Sequence, residues 1–372
     1  MSTPQPSLGR SRGDAVDLDL TAGLAPATPP APRETPAASA AAAASGDAGA
    51  DREPRGTVRV VEPSGSVGSG SAGPVGAVGA VASSEALEDD LAVVGDGEPG
   101  PTGRPARHIP EPPALLTHGP ARVLAMCNQK GGVGKTTSTI NLGAALAEYG
   151  RRVLLVDFDP QGALSVGLGI QPHQLDRTIY NVLMERGTSV EDVVLRTGVD
   201  HMDLLPSNID LSAAEVQLVA EVGREQTLSR VLRSVIGQYD YVLVDCQPSL
   251  GLLTVNALAA ADGVLIPLEC EFFSLRGVAL LIDTIEKVRE RLNPKLEITG
   301  ILATMYDPRT LHSREVMARV VEAFGDVVFD TVINRTVRFP ETTVAGEPIT
   351  RWAPRSAGAE AYRQLAREVI AR

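Results

Sequence analysis

The stretch 122–149 limits the fold more than any other. A short apolar run, 122–127, leads into Lys130-Gly131-Gly132-Val133-Gly134-Lys135-Thr136-Thr137, and a helical run opens at about Lys135 and continues to Tyr149. Strand, glycine-rich loop and helix follow one another without a break. The glycines let the backbone curl tightly and turn successive N–H groups into one concavity, and the helix start adds the positive end of its dipole. A polyphosphate fits there, with Lys135 as a point charge on its β- and γ-groups and the Thr136 hydroxyl on Mg²⁺.

The ordinary phosphate loop, G-x-x-x-x-G-K-[ST], begins with a glycine. Here Gln129 stands at that place, and a second lysine, Lys130, precedes Gly131. A lysine at this point meets charge that Lys135 does not, such as phosphate on a nucleotide held by a second subunit. The alternative is a glycine-rich turn with two solvated lysines. Loop, flanking elements and downstream acids agree on the phosphate reading.

Upstream the composition changes. From Met1 to about Pro120 there is no Phe, Tyr, Trp, Cys or Lys, and Ala, Pro, Gly and Ser dominate. Such a chain cannot bury enough apolar surface to offset its entropy, so 1–118 reads as a disordered tail and 119–372 as one domain. Within the tail, Leu87, Leu91 and Val94 have the spacing of a short amphipathic helix, against a random feature of a flexible segment. The formal charge is −12, and 1–118 contributes 15 Asp and Glu against 8 Arg. That balance does not favour nucleic acid, which would need a local basic patch. Cys127, Cys246 and Cys270 each lie at or near the end of an apolar run and read as buried, reduced thiols. There is no signal-type apolar core and no long apolar span, so a cytoplasmic protein is expected.

Past the loop, apolar strand-like runs at 152–157, 241–245, 263–268 and 298–304 alternate with helical runs at 212–222, 228–237, 250–261, 275–292 and 313–324. Continuous apolar strands suit a parallel sheet buried on both faces. The fold class is α/β, a three-layer sandwich with a mostly parallel sheet and ligands at the carboxyl ends of its strands. The acids fall at those ends. Asp157 and Asp159 close one strand in Val-Asp-Phe-Asp-Pro-Gln-Gly, and Asp245 closes another in Val-Asp-Cys-Gln-Pro-Ser-Leu-Gly. One acid near Mg²⁺ and one near the attacking water would suffice; the alternative is that they cap the following helices.

The box K-G-G-V-G-K-T-T resembles the deviant Walker A motif of the ParA/MinD family of ATPases. Asp157-Phe-Asp159-Pro-Gln-Gly resembles the Walker A′ box of its ParA/Soj branch, and Asp245-Cys-Gln-Pro-Ser-Leu-Gly the Walker B box, with Gln247 where proline is more usual. The resemblance covers roughly 122–372. It implies a P-loop NTPase domain that holds ATP and Mg²⁺ on Lys130, Gly131, Gly132, Val133, Gly134, Lys135, Thr136 and Thr137. Lys130, Lys135, Asp159 and Asp245 become the catalytic set, and Thr136, Asp159 and Asp245 the metal set. Lys130 would reach across an ATP-sandwich homodimer, and Asp159 would position the water.

Further matches follow. The segment 267–277 resembles the family's stretch after the next strand, with Arg276 where glutamate is common. The segment 333–341 matches with Asn334 in place of a usual proline, and Asn334 and Arg335 would help hold the adenine. Arg309 and Arg338 fall where the family uses arginines on DNA, a phosphate contact without base reading. From spacing alone those arginines could instead form a solvated face pairing with Asp307, Glu315 and Glu341. The last helix, 359–372, carries Tyr362, Leu365 and Val369 at helical spacing. Its small apolar face suits packing on the domain better than a membrane.

The implied activity is a Mg²⁺-dependent ATPase, weak alone and stimulated by a ParB-like centromere-binding partner. Its ATP-bound dimer would bind double-stranded DNA without sequence preference and drive chromosome or plasmid partition on the nucleoid; no membrane attachment is expected. Rival readings are a MinD-like membrane-cycling ATPase, against which Pro160-Gln161-Gly162 already counts, a metabolic P-loop enzyme, and a non-enzymatic binding module built around the tail.

Overall fold

The computed structural model describes residues 99–372 except 106, 272 and 273. The expected tail disorder over 1–98, and the helix around Leu87, lie outside the described residues. Eight strands, β1 (Arg122–Met126), β2 (Val153–Phe158), β3 (Leu195–Arg196), β4 (Met202–Leu205), β5 (Tyr241–Cys246), β6 (Gly263–Glu269), β7 (Glu297–Tyr306) and β8 (Val328–Asn334), form one sheet. Its order is β3-β4-β2-β5-β1-β6-β7-β8. Every described pairing is parallel except β3 with β4.

Eleven α-helices are described: α1 (Lys135–Glu148), α2 (Ala163–Gly167), α3 (Ile179–Met184), α4 (Leu211–Gln217), α5 (Thr227–Leu232), α6 (Leu252–Ala260), α7 (Ser274–Arg291), α8 (Leu311–Phe324), α9 (Arg338–Ala345), α10 (Ile349–Trp352) and α11 (Ala357–Ala371). Alternate residues of β1 divide between two cores. Val123, Ala125 and Cys127 join one with residues of α5 to α8, while Leu124 and Met126 join the other with α1 and α11. A strand apolar on both faces therefore sits in the middle of three layers. Because β1 lies between β5 and β6, the loops after these strands open at one edge, where a doubly wound sheet places its ligand.

The last helix packs back on the domain. Tyr362, Leu365 and Val369 are buried, and the Tyr362 hydroxyl lies 3.2 Å from Ser138 Oγ on α1. Residues ahead of 119 also touch the domain. Arg104 donates to the carbonyls of Gly325 and Val328 and pairs with Asp330 at 3.1 Å. Asp240 collects the entry to β1: it accepts from Gly119 N at 2.9 Å and Arg152 N at 2.7 Å, and His118 Nδ1 lies 2.7 Å away.

Candidate nucleotide site

The loop after β1 turns at Gly132 (φ 77°) and Gly134 (φ 81°), a left-handed conformation that a residue with a Cβ adopts at a cost. It is held from two sides. Asn128 donates to Pro267 O at 2.6 Å and accepts from Lys130 N at 3.0 Å, and Thr304 of β7 donates to Val133 O at 2.9 Å. Sequence reasoning missed both braces. Asn128 was readable as a turn residue beside the loop; Thr304 lies so far along the chain that no local signal marks it.

Lys135 is 7% exposed and its Nζ donates to Lys130 O at 3.2 Å, so the loop curls around its own lysine. Burial lowers its pKa, against the pull of Asp245. Thr136 Oγ1 donates to Asp245 Oδ2 at 2.7 Å, and Thr139, a residue the sequence did not single out, donates to Oδ1 at 3.3 Å. Thr136 and Thr137 also open onto a cavity of about 220 Å³ lined by Asn141, Ala163 and Thr342.

The two strand-ending acids differ in what they do. The β2–β5 register sets Asp157 opposite Asp245. Asp157 is fully buried and accepts from Ser165 N at 2.8 Å and Ser165 Oγ at 2.7 Å, so it holds the start of α2. That is the capping alternative. Asp159 is half-buried and accepts only from Gln161 N among the described contacts, at 3.0 Å, which leaves its second oxygen for other work. Burial pushes Asp157 and Asp245 up to about 7; for Asp245 the neighbouring Asp157 adds to the rise, and Thr136 and Lys135 oppose it. A divalent cation beside Asp245 would favour its ionised form.

Lys130 turns the other way from Lys135. Its Nζ lies 2.9 Å from Glu269 and 2.6 Å from Glu271, and Arg335 reaches Glu269 at 3.1 Å. Lys130 and Arg335 are thereby brought into one cluster at the ends of β6 and β8, with Asn334 exposed beside it. Arg309 is 88% exposed and grips Asp307 of its own turn at 2.9 and 3.0 Å, the pairing the solvated-face alternative anticipated. Arg338 opens α9 and is half-buried. Gln247 donates to both Glu215 oxygens, each at 3.3 Å, tying the loop after β5 to α4. Arg276 is exposed on α7, and nothing in the structure explains it. Cys127 and Cys246 are buried free thiols 3.2 Å apart, and Cys270 is buried and free as well.

A family model described as an AAA domain matches residues 121–298. An uncharacterised protein of Mycobacterium tuberculosis is 74% identical over 73% of this chain and 86% of its own length. The sporulation initiation inhibitor Soj of Bacillus subtilis is 47% identical over 67% of this chain and 98% of its own. The chromosome partitioning protein ParA of Caulobacter vibrioides is 49% identical over 69% and 97%. The chain belongs to the ParA/Soj family. Among solved structures, a Mycobacterium smegmatis protein titled cobyrinic acid a,c-diamide synthase, with bound ADP and magnesium, is 44% identical to this ParA/Soj chain. It covers 66% of this chain and 92% of its own, with a TM-score of 0.59.

The residues of this ParA/Soj chain fit the family's ATP and Mg²⁺. The buried Lys135 ammonium is held against the loop's Lys130 carbonyl, and the Thr136 hydroxyl already touches an acid suited to a hard ion through water. A bound Mg²⁺ would supply neutralisation of the phosphate charge. Thr136 and Thr139 orient Asp245, and Lys135 with the 131–137 backbone would hold the phosphates beside Asp159.

Proposed function

We propose that this chain is an ATP hydrolase whose ATP-bound homodimer binds double-stranded DNA without sequence preference and drives partition of chromosome or plasmid with a ParB-like partner. The observation that carries the reading is the division of labour between two lysines of one loop. Lys135 is folded inside it, while Lys130 stands on the outer side, 36% exposed, where a second protomer's phosphates could be met. Asp159 orients the water in this scheme, and Asn334 and Arg335 lie near the base. Arg309 and Arg338 take DNA phosphates, so nucleotide state sets DNA affinity. Residues 119–372 carry the ATPase machinery, with 99–118 fastened to it through Arg104 and His118, and the protein works in the cytoplasm on the nucleoid.

A membrane-cycling role would need the apolar face of α11, and Tyr362, Leu365 and Val369 are buried on the domain. Among the described residues no helix is long and apolar enough to cross a membrane. The test is co-sedimentation with DNA, and in parallel with anionic vesicles, in ATP, ADP or no nucleotide at low and raised salt. ATP-dependent, salt-sensitive pelleting with DNA supports the proposal. Pelleting with vesicles alone overturns it.

A further inference from the structure

Two thiols meet at the root of the phosphate loop. Cys127 follows β1, Cys246 ends β5, and both are 1% exposed. Cys127 Sγ donates to Cys246 Sγ at 3.2 Å, and Cys246 Sγ in turn donates to Val244 O at 3.7 Å. The strands set this meeting. They run parallel with Met126 opposite Asp245, and one further step puts Cys127 opposite Cys246. Neighbouring strands lie about 4.8 Å apart, inside the Cα separation of about 4.4–6.8 Å that a disulfide spans. The sulfurs need to close by only about 1 Å to reach bonding distance. Cys270 is buried and free too, with no sulfur beside it among the described contacts.

We infer that Cys127 and Cys246 are an oxidation site, which a peroxide converts to an intrachain disulfide and a thiol reductant restores. One thiol gives up its proton and attacks a peroxide oxygen; the O–O bond breaks, a sulfenic acid forms and water leaves. The second sulfur then displaces that hydroxyl, so that the S–S bond forms, the S–O bond breaks and a second water leaves. Two thiols and one peroxide give one disulfide and two waters, and two electrons pass from sulfur to oxygen. The hydrogen bond from Cys127, and then burial, push the Cys246 thiol up, so at rest it stays protonated and a poor nucleophile. Reaction waits for the loop to lift and admit a molecule as small as hydrogen peroxide. Transient disulfides of this kind are the ones a reducing compartment permits.

Closing the pair pulls on the backbone at two sides of the site. Asn128, next after Cys127, braces the loop through Pro267 O at 2.6 Å and Lys130 N at 3.0 Å. Asp245, just before Cys246, accepts from Thr136 Oγ1 at 2.7 Å. The oxidised chain therefore holds nucleotide more weakly, and a bound nucleotide, by keeping the loop down, slows the oxidation. These two links rest on the ATPase reading above; the disulfide itself does not.

The experiment treats the full chain with hydrogen peroxide, then unfolds it and counts free thiols with N-ethylmaleimide by mass spectrometry. Of three cysteines the wild type keeps one label, Cys270→Ala keeps none, and each runs as a monomer on a non-reducing gel. Dithiothreitol restores the full count. Three labels retained on the wild type overturn the site. So does a loss that dithiothreitol does not restore, or a disulfide-linked dimer in place of the intrachain bond. Binding of a fluorescent ATP analogue is read on the same samples. It falls at least about tenfold in oxidised wild type, returns with dithiothreitol, and persists in peroxide in Cys127→Ala. Saturating ATP and Mg²⁺ slow the loss of labels at least about fivefold. If Cys127→Ala does not fold, the wild-type count and its reversal still decide the site. If the disulfide forms and nucleotide binding does not change, the link to the site is overturned. If the reduced wild type binds no nucleotide, the ATPase reading falls and the thiol count still decides the oxidation site.

Discussion

Lys130 Nζ lies 2.6 Å from Glu271 Oε2. With Glu269 at 2.9 Å, the lysine is spoken for within its own protomer, and its pKa is raised by these partners against the effect of burial. Any contact with a second protomer's phosphate must first release it. Exposed pairs of this kind are worth about 0.2–1 kcal/mol each. The double variant Glu269→Gln/Glu271→Gln should therefore dimerise with ATP at about fivefold lower protein concentration. Analytical ultracentrifugation reads this, and an unchanged midpoint would mean that the acids do not restrain Lys130.

Lys135 and Asp159 should separate binding from chemistry. Lys135→Ala removes a charge-assisted contact at the centre of the loop and should weaken ATP at least about a hundredfold. Asp159→Ala should bind ATP within a few-fold of wild type and lose about 10²–10⁴ in turnover, as removal of a water-orienting base does. Isothermal titration and phosphate release distinguish the two, and normal turnover without Asp159 would take it out of the mechanism.

The two arginines proposed to take DNA phosphates should not be equal. Arg309 is already held by Asp307, whose carboxyl it keeps below the usual range, so a phosphate must displace that partner. Arg338→Glu should thus weaken DNA binding more than Arg309→Glu, and each should lower the salt slope by about one counterion. Filter binding across a salt series gives both numbers. A slope unchanged in both variants would move the DNA surface elsewhere.

Asp240 makes a pH-dependent fastening. Burial raises its pKa, but hydrogen bonds from Arg152 N, His118 and Gly119 N outweigh that and hold it low. A carboxylate depressed in the folded state contributes stability above its unfolded pKa of about 4 and loses it as pH falls through the lower folded value. Asp240→Asn should lower Tm by roughly 2–6 °C at pH 7, from about 1–2 kcal/mol of lost hydrogen bonding, and the gap should narrow as pH falls below about 4. Thermal melts from pH 7 downward decide it; a gap that does not narrow would mean that its charge is not what matters.

What the sequence made legible follows from how local each signal is. The phosphate loop, β1, β2, β5, β6 and α1 announce themselves because an unbroken apolar run meets glycines. Strand β3 spans two residues and β4 four, too short to show a period, and β8 is interrupted by Asp330 and Thr331. The helical reading over 212–222 overshoots. The α-helix is Leu211–Gln217, a 3₁₀ turn follows over Leu218–Ala220, and beyond it Val222 is exposed before Gly223 turns left-handed. In the site, the loop and its acids were readable, and so was the cap at Asp157 as one of two options. The partners of Lys130 were not, because Glu269 lies 139 positions along the chain and only the neighbouring of β1 and β6 brings it close.

Thr304 gives the nucleotide loop a mechanical outlet. Its hydroxyl is stitched to Val133 O, and the strand that bears it ends at Tyr306, just before the turn of Asp307 and Arg309. The loop's carbonyl is thus tied to the sheet two residues before β7 ends, close to where α8 begins. What anchors the loop on that side is a strand of the sheet and not another loop.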